Sequence, residues 1–169
     1  MTNSPEIESI IEQAVQSAKE RKHQYCTIEH LLLALVSHKP FKKCLDTFGA
    51  DTKHMTEEIA AYLDSLHAIR ATEEDEEVAV RKTNALERVM NRSITQVLFT
   101  GRRQVTTIDI YLSIAAEGNS HAHYFLLKYG ITKSEFLHHW SKNYKGQETA
   151  SKMTDTQADE VLEEYTTNL

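Results

Sequence analysis

The feature that most constrains this chain is that its pattern occurs twice. Sliding the sequence along itself by about eighty residues, without a gap, superposes Gln24, Thr27, Ile28, Glu29 and Leu32 on Gln104, Thr107, Ile108, Asp109 and Leu112. One residue more aligns Gly49 with Gly130. Both copies run in the same order: a long helix, a central apolar helix, a short helix closed by glycine, and a final helix. Such self-similarity marks a duplicated unit. Neither copy evidently buries its apolar faces alone, so the pair is expected to share one core about a pseudo-two-fold axis.

The local signals support this order. Ser4-Pro5 reads as an N-cap followed by proline at the first helical position, where the missing N–H costs nothing. Ile7, Ile10, Ile11, Ala14, Val15 and Ala18 then follow the three-and-four spacing of a buried helical face. Arg21 to Cys26 reads as a connection, and Thr27 as the cap of IEHLLLALVSH, apolar on most sides and therefore central. A short helix from Phe41 to Phe48 stops at Gly49, and Asp51 caps a fourth helix carrying Met55, Ile59, Tyr62 and Leu63. In the second copy, Thr83 caps a helix bearing Leu86, Val89, Ile94 and Val97, and Thr107 caps IDIYLSIAAE. HAHYFLLKYG ends at Gly130, and Thr132-Lys133-Ser134-Glu135 has the form of a capping box.

Charge separates the body from its tail. Residues 1–145 carry 19 acids against 18 bases, whereas residues 146–169 carry 6 acids and the single Lys152. The body is near neutral and lacks the basic stripe that would neutralise phosphates, so no nucleic-acid partner is expected. Glu73 to Glu77 are five consecutive acids, which repel one another and read as an exposed linker. The longest apolar run, Leu31 to Val36, is too short to span a bilayer, and the amino terminus lacks the apolar core of a signal peptide. Two cysteines outside any CxxC pair suit a reducing compartment, and a cytoplasmic protein is expected.

Catalytic and metal chemistry find little support. No two glycines flank four residues ahead of Lys-Ser or Lys-Thr, so the chain holds no phosphate-binding loop and is not expected to hydrolyse ATP. Among the 9 histidines, His23 and His30 lie seven apart, His121 and His123 two apart, and His138 and His139 are adjacent. None forms HExxH and no cysteine stands at zinc-finger spacing, so no metal or other cofactor is expected. Cys26 has His23 and His30 nearby but no orienting third residue, and reads as a small apolar side chain.

The segment HQYCTIEHLLLALVSH (residues 23–38) closely resembles the signature of Clp/Hsp100 amino-terminal domains. GRRQVTTIDIYLSIAAE and HYFLLKYGI are similar to the matching elements of that family's second repeat. The resemblance spans roughly residues 5–141 and is greatest to the ClpA-type branch. It implies an all-α, non-enzymatic docking domain that binds a ClpS-type adaptor and substrate proteins. It also implies an adaptor surface at four positions. Glu29 stands where the family uses a glutamate; its local reading is an acid in the first helical turn, favoured by the helix dipole by about 0.3–1 kcal/mol. Gln24 replaces a second acid of the family. Thr83 matches an adaptor contact and is also an N-cap. Lys133 replaces an arginine, losing its two-pronged geometry.

These readings define the expected organisation. Residues 1–142 form the helical domain, with repeat one at about 5–67, a linker at 68–82 and repeat two at about 83–142. Residues 143–169 form a flexible acidic tail. Within it Glu163 to Leu169 resembles the sequence that introduces the first ATPase module of ClpA-type chains, through which a peptidase would be reached. The other reading is a free-standing regulator that occupies the adaptor or modulates the protease. A reading frame that continues past Leu169 into a phosphate-loop module distinguishes the first from the second.

Overall fold

Three of the four helices of the first copy start at a residue whose side chain supplies a first-turn amide with an acceptor, and the computed structural model, which describes residues 2–66 and 80–143, shows those caps in use. Ser4 Oγ accepts from Ile7 N–H at 3.3 Å to open α1 (Pro5–Glu20). Thr27 opens α2 (Ile28–Ser37), and α3 (Lys39–Phe48) carries Pro40 in its first turn. Gly49 ends α3 at φ 103°, a left-handed conformation that L side chains resist. Asp51 Oδ1 accepts from His54 N–H at 3.1 Å to open α4 (Thr52–Asp64).

The second copy repeats the order. Thr83 Oγ1 accepts from Leu86 N–H at 3.1 Å and opens α5 (Asn84–Phe99). Then come α6 (Thr107–Ala115), α7 (His121–Lys128) and α8 (Lys133–Asn143). The fold is all-α, with eight helices among the described residues in two four-helix repeats. Residues 67–79 and 144–169 lie outside the described residues, so the acidic linker's core and the acidic tail do too.

Two details correct the sequence reading. The cap of α6 is Thr106, not Thr107: Asp109 Oδ2 accepts from Thr106 N–H at 2.9 Å and from its hydroxyl at 2.8 Å. The register of the duplication is therefore 79 in its first half, with Pro5 matching Asn84 and Ile28 matching Thr107. Glu29 accordingly pairs with Ile108, and His30 with Asp109.

The connections before α2 and α5 are also more ordered than a plain linker. Strand β1 (Thr2–Asn3) pairs in parallel with β4 (Gln104–Val105), and β2 (Tyr25–Cys26) with β3 (Arg81–Lys82). The segment leading into each repeat's first helix is thus clipped to the segment leading into the other repeat's second helix. This reciprocal pairing ties the copies together through main-chain hydrogen bonds, Thr83 N–H to Cys26 carbonyl at 3.2 Å among them.

The chain divides into two compact units, Met1–Lys133 and the part from Ser134 onward. In the first unit α2 is central, packing on α1, α3, α4, α5, α6 and α7. Leu31, Leu32, Leu35 and Val36 are almost wholly buried there, each contributing about 1.5–3 kcal/mol of apolar burial. Polar ties reinforce the join: Lys128 of α7 and Tyr129, just after it, both donate to Glu58 of α4, and the Lys128 contact holds the Glu58 carboxyl below its usual range. Within the second unit α8 carries Phe136 and Trp140 at helical i, i+4 spacing.

Candidate functional site

Two of the four residues singled out by the family signature come together. Glu29 of α2 and Thr83, the cap of α5, line one cleft of about 340 Å³ with Thr27, Arg88, Glu117 and His121. They meet because β2 and β3 run side by side, which sets the starts of α2 and α5 next to each other.

Glu29 is only 8% exposed, and its carboxylate serves a helix other than its own. Its Oε2 accepts from Ala122 N–H in the first turn of α7 at 2.9 Å. Free amides and the positive end of the dipole make that helix start a favourable seat for a carboxylate. Beside it Tyr62 stacks on His121, ring centroids 4.4 Å apart, with its hydroxyl 3.0 Å from His121 Nδ1. Burial, and then the charge of Glu29, push the Tyr62 hydroxyl pKa up.

The cleft also borders an ion-pair network that the sequence reading did not single out. Glu117, just past the end of α6, receives Arg88 Nη2 at 2.8 Å and Arg92 Nη2 at 2.6 Å. The Arg88 hydrogen bond, with Arg92 assisting, holds the Glu117 carboxyl below the usual carboxylate range. Arg88 and Arg92 stand at i, i+4 on α5 with no acid at that spacing between them. That unpaired doublet was the available signal, but its partner lies 25 residues beyond Arg92 and only the fold identifies it.

The other two positions lie elsewhere. Gln24 is exposed at the entrance to β2, and its main-chain carbonyl accepts from Arg81 N–H at 2.9 Å. Lys133 is exposed at the first position of α8 and does not line the cleft. Cys26 is buried, and desolvation pushes its thiol up to about 12, which leaves it unreactive near neutral pH. Among the described residues no three His, Cys, Asp or Glu side chains gather to hold a metal ion.

His23 and His30 pair in the core, Nδ1 of the first 2.9 Å from Nε2 of the second. Nδ1 of His30 also accepts from Thr27 N–H at 2.9 Å, closing the capping box of α2 with an imidazole where a glutamate is usual. The amide can only donate, so this network assigns His30 the Nε2–H tautomer. Burial first, then His23 and Arg21, drive its pKa down to about 3. At the matching positions of repeat two, Arg102 instead grips Asp109 through two hydrogen bonds of 2.9 and 2.6 Å.

Residues 3–129 match the model of the Clp repeat (R) N-terminal domain. The chain belongs to the Clp N-terminal domain family. Within it, a ClpA homolog protein of Fuscovulum blasticum is 30% identical over 133 residues, which cover 76% of this chain but 17% of that relative. This Clp N-domain chain thus corresponds to a small part of the relative's length. Among solved structures, the Hsp104 N-terminal domain from Candida albicans matches with a TM-score of 0.68 at 13% identity, over 82% of this chain and 89% of that one. A structure from preliminary investigations of a malarial protein secretion system matches with a TM-score of 0.69 at 10% identity, over 85% and 95%. At such identities these neighbours share the Clp N-domain fold.

Proposed function

We propose that this chain is the adaptor- and substrate-docking domain of a ClpA-type protein unfoldase, a binding module and not a catalyst. Its partner is a ClpS-type adaptor that delivers proteins bearing destabilising amino-terminal residues to ATP-dependent proteolysis in the cytoplasm. The observation that carries this reading is the shared cleft: Glu29 and Thr83, which the family signature marks as adaptor contacts, line one cleft together with the Arg88–Glu117 pair. Mixed charges rimming a small cleft suit a polar, moderate-affinity interface that releases its cargo when a motor engages it. Residues 1–142 form the docking body and 143–169 the tether to an ATPase module, which raises the local concentration of cargo without tight binding. Among the described residues no helix is long and apolar enough to cross a membrane.

Gln24 and Lys133 adjust the surface. An amide at position 24 keeps an acceptor but loses the charge that would attract an adaptor cation, and lysine at 133 offers a point charge in place of a fork. Calorimetric titration of the chain with a ClpS-type adaptor tests the reading. Saturable binding weakened by added salt and by Arg88→Ala is expected. Absence of binding to the wild-type chain at millimolar concentrations overturns it.

A further inference from the structure

The two repeats differ in a way that leaves a groove open in one of them. In repeat two the groove between α5 and α6 is filled by the chain's own side chains. Arg92 Nη1 donates to the Ser113 carbonyl at 2.8 Å while its Nη2 and Arg88 hold Glu117. The Ser113 carbonyl accepts this guanidinium because Glu117 N–H turns instead to Ile114 carbonyl at 3.0 Å, leaving the helix end short of a donor. Seventy-nine residues earlier, between α1 and α2, the same main-chain geometry recurs: His38 N–H bonds Leu35 carbonyl at 3.2 Å and passes over Ala34. But Ser9 and Gln13 stand where Arg88 and Arg92 do, too short to fill the space, and His38 replaces Glu117 and turns to Glu6 at 2.7 Å. The result is an open groove of about 550 Å³, with Ser9, Gln13 and Ala34 in its walls.

We infer that the α1–α2 groove receives an arginine side chain from a partner polypeptide, whose guanidinium takes the place that Arg92 fills in repeat two. The Ala34 carbonyl lies at the negative end of the α2 dipole, and the hydroxyl of Ser9, the Gln13 amide and the Glu20 carboxylate supply further acceptors around the groove. The nearby Arg21 does not compete strongly, since its Nε donates to Asp64 at 2.8 Å and its Nη1 to Ser17. Acceptors spread around one groove suit the planar, five-donor fork of arginine better than the compact ammonium of lysine. This surface does not include any residue of the Thr83 cleft, so it offers a second hold on a client or adaptor already docked there.

The test is an amide NMR titration of the whole chain with a short glycine-rich peptide carrying one arginine, against peptides with lysine, glutamine or glutamate in its place. Saturable shifts at Gln13, Ser17, Ser37 and His38 are expected for arginine, at least several-fold tighter than for the others. The double variant Gln13→Arg/His38→Glu, which rebuilds the repeat-two network, abolishes them. Gln13→Glu, at an exposed position that leaves the core untouched, strengthens binding about five-fold, and Thr83→Ala leaves it unchanged. Equal response to arginine and glutamine peptides, or no response to either position-13 change, overturns the inference. Shifts confined to Glu29, Arg88 and Glu117 also overturn it, while leaving docking at the Thr83 cleft intact.

Discussion

The buried His23–His30 pair makes repeat one sensitive to acid, and the size of the effect can be worked out. His30 holds its proton on Nε2 and uses bare Nδ1 to accept from Thr27 N–H, so a second proton would set two donors face to face. Its pKa in the folded chain is about 3 against an ordinary 6.5. A histidine depressed in this way stabilises the fold fully above about pH 6.5, because only the unfolded chain takes up the proton as pH falls below that value. Stability is then lost at about 1.4 kcal/mol per pH unit until pH approaches 3. At pH 5 the loss is about 2 kcal/mol, a sizeable share of the 5–15 kcal/mol typical of a domain. Urea unfolding followed by far-UV circular dichroism at pH 7.5 and pH 5.0 measures it. His30→Gln, whose amide can accept from Thr27 and donate to His23 without titrating, serves as the reference. The wild type should lose about 2 kcal/mol more than His30→Gln over this interval. Equal losses in the two proteins would refute the assignment.

Other consequences are smaller or more local. Thr83→Ala removes the cap of α5 and should cost about 1 kcal/mol of unfolding free energy by chemical denaturation, in addition to any loss of adaptor affinity. Glu29→Gln keeps an acceptor for Ala122 N–H and should cost well under 1 kcal/mol. Glu29→Ala leaves that amide without its acceptor and should cost about 1–3 kcal/mol, so the two variants separate the hydrogen bond from the charge. Cys26 and Cys44, both buried with thiols pushed up to about 12, should resist iodoacetamide at pH 7.5 in the native protein and react fully in urea, as read by mass spectrometry.

What the sequence disclosed follows the range of the forces involved. Caps at Ser4, Thr27, Asp51 and Thr83 are legible because the acceptor and the amide it satisfies lie three residues apart. The glycine stops are legible because positive φ excludes most side chains. Thr106 and Thr107 could not be separated by cap propensity alone. Asp109, three residues after Thr106, decides between them, and that clue is weak where a glutamate is the usual partner. The four strands of two residues each have no periodicity to detect, and their pairing joins segments 102 and 56 residues apart, Thr2 with Gln104 and Tyr25 with Arg81. The candidate site divides the same way. Glu29 and Thr83 were found through the family signature, whereas Glu117 and His121 gain their positions from tertiary packing. That Glu29 anchors the start of α7 could not be read from the first turn of α2, since the amide it serves is 93 residues away.

The central claim is that an adaptor docks where the starts of α2 and α5 meet. Amide NMR of the labelled chain, titrated with an unlabelled ClpS-type adaptor, tests this most directly. The account predicts saturable shifts centred on Thr27 to Glu29, Thr83 to Arg88 and Glu117 to His121. An adaptor that leaves those amides unmoved, or perturbs only the far surfaces of α1 and α3, would contradict it.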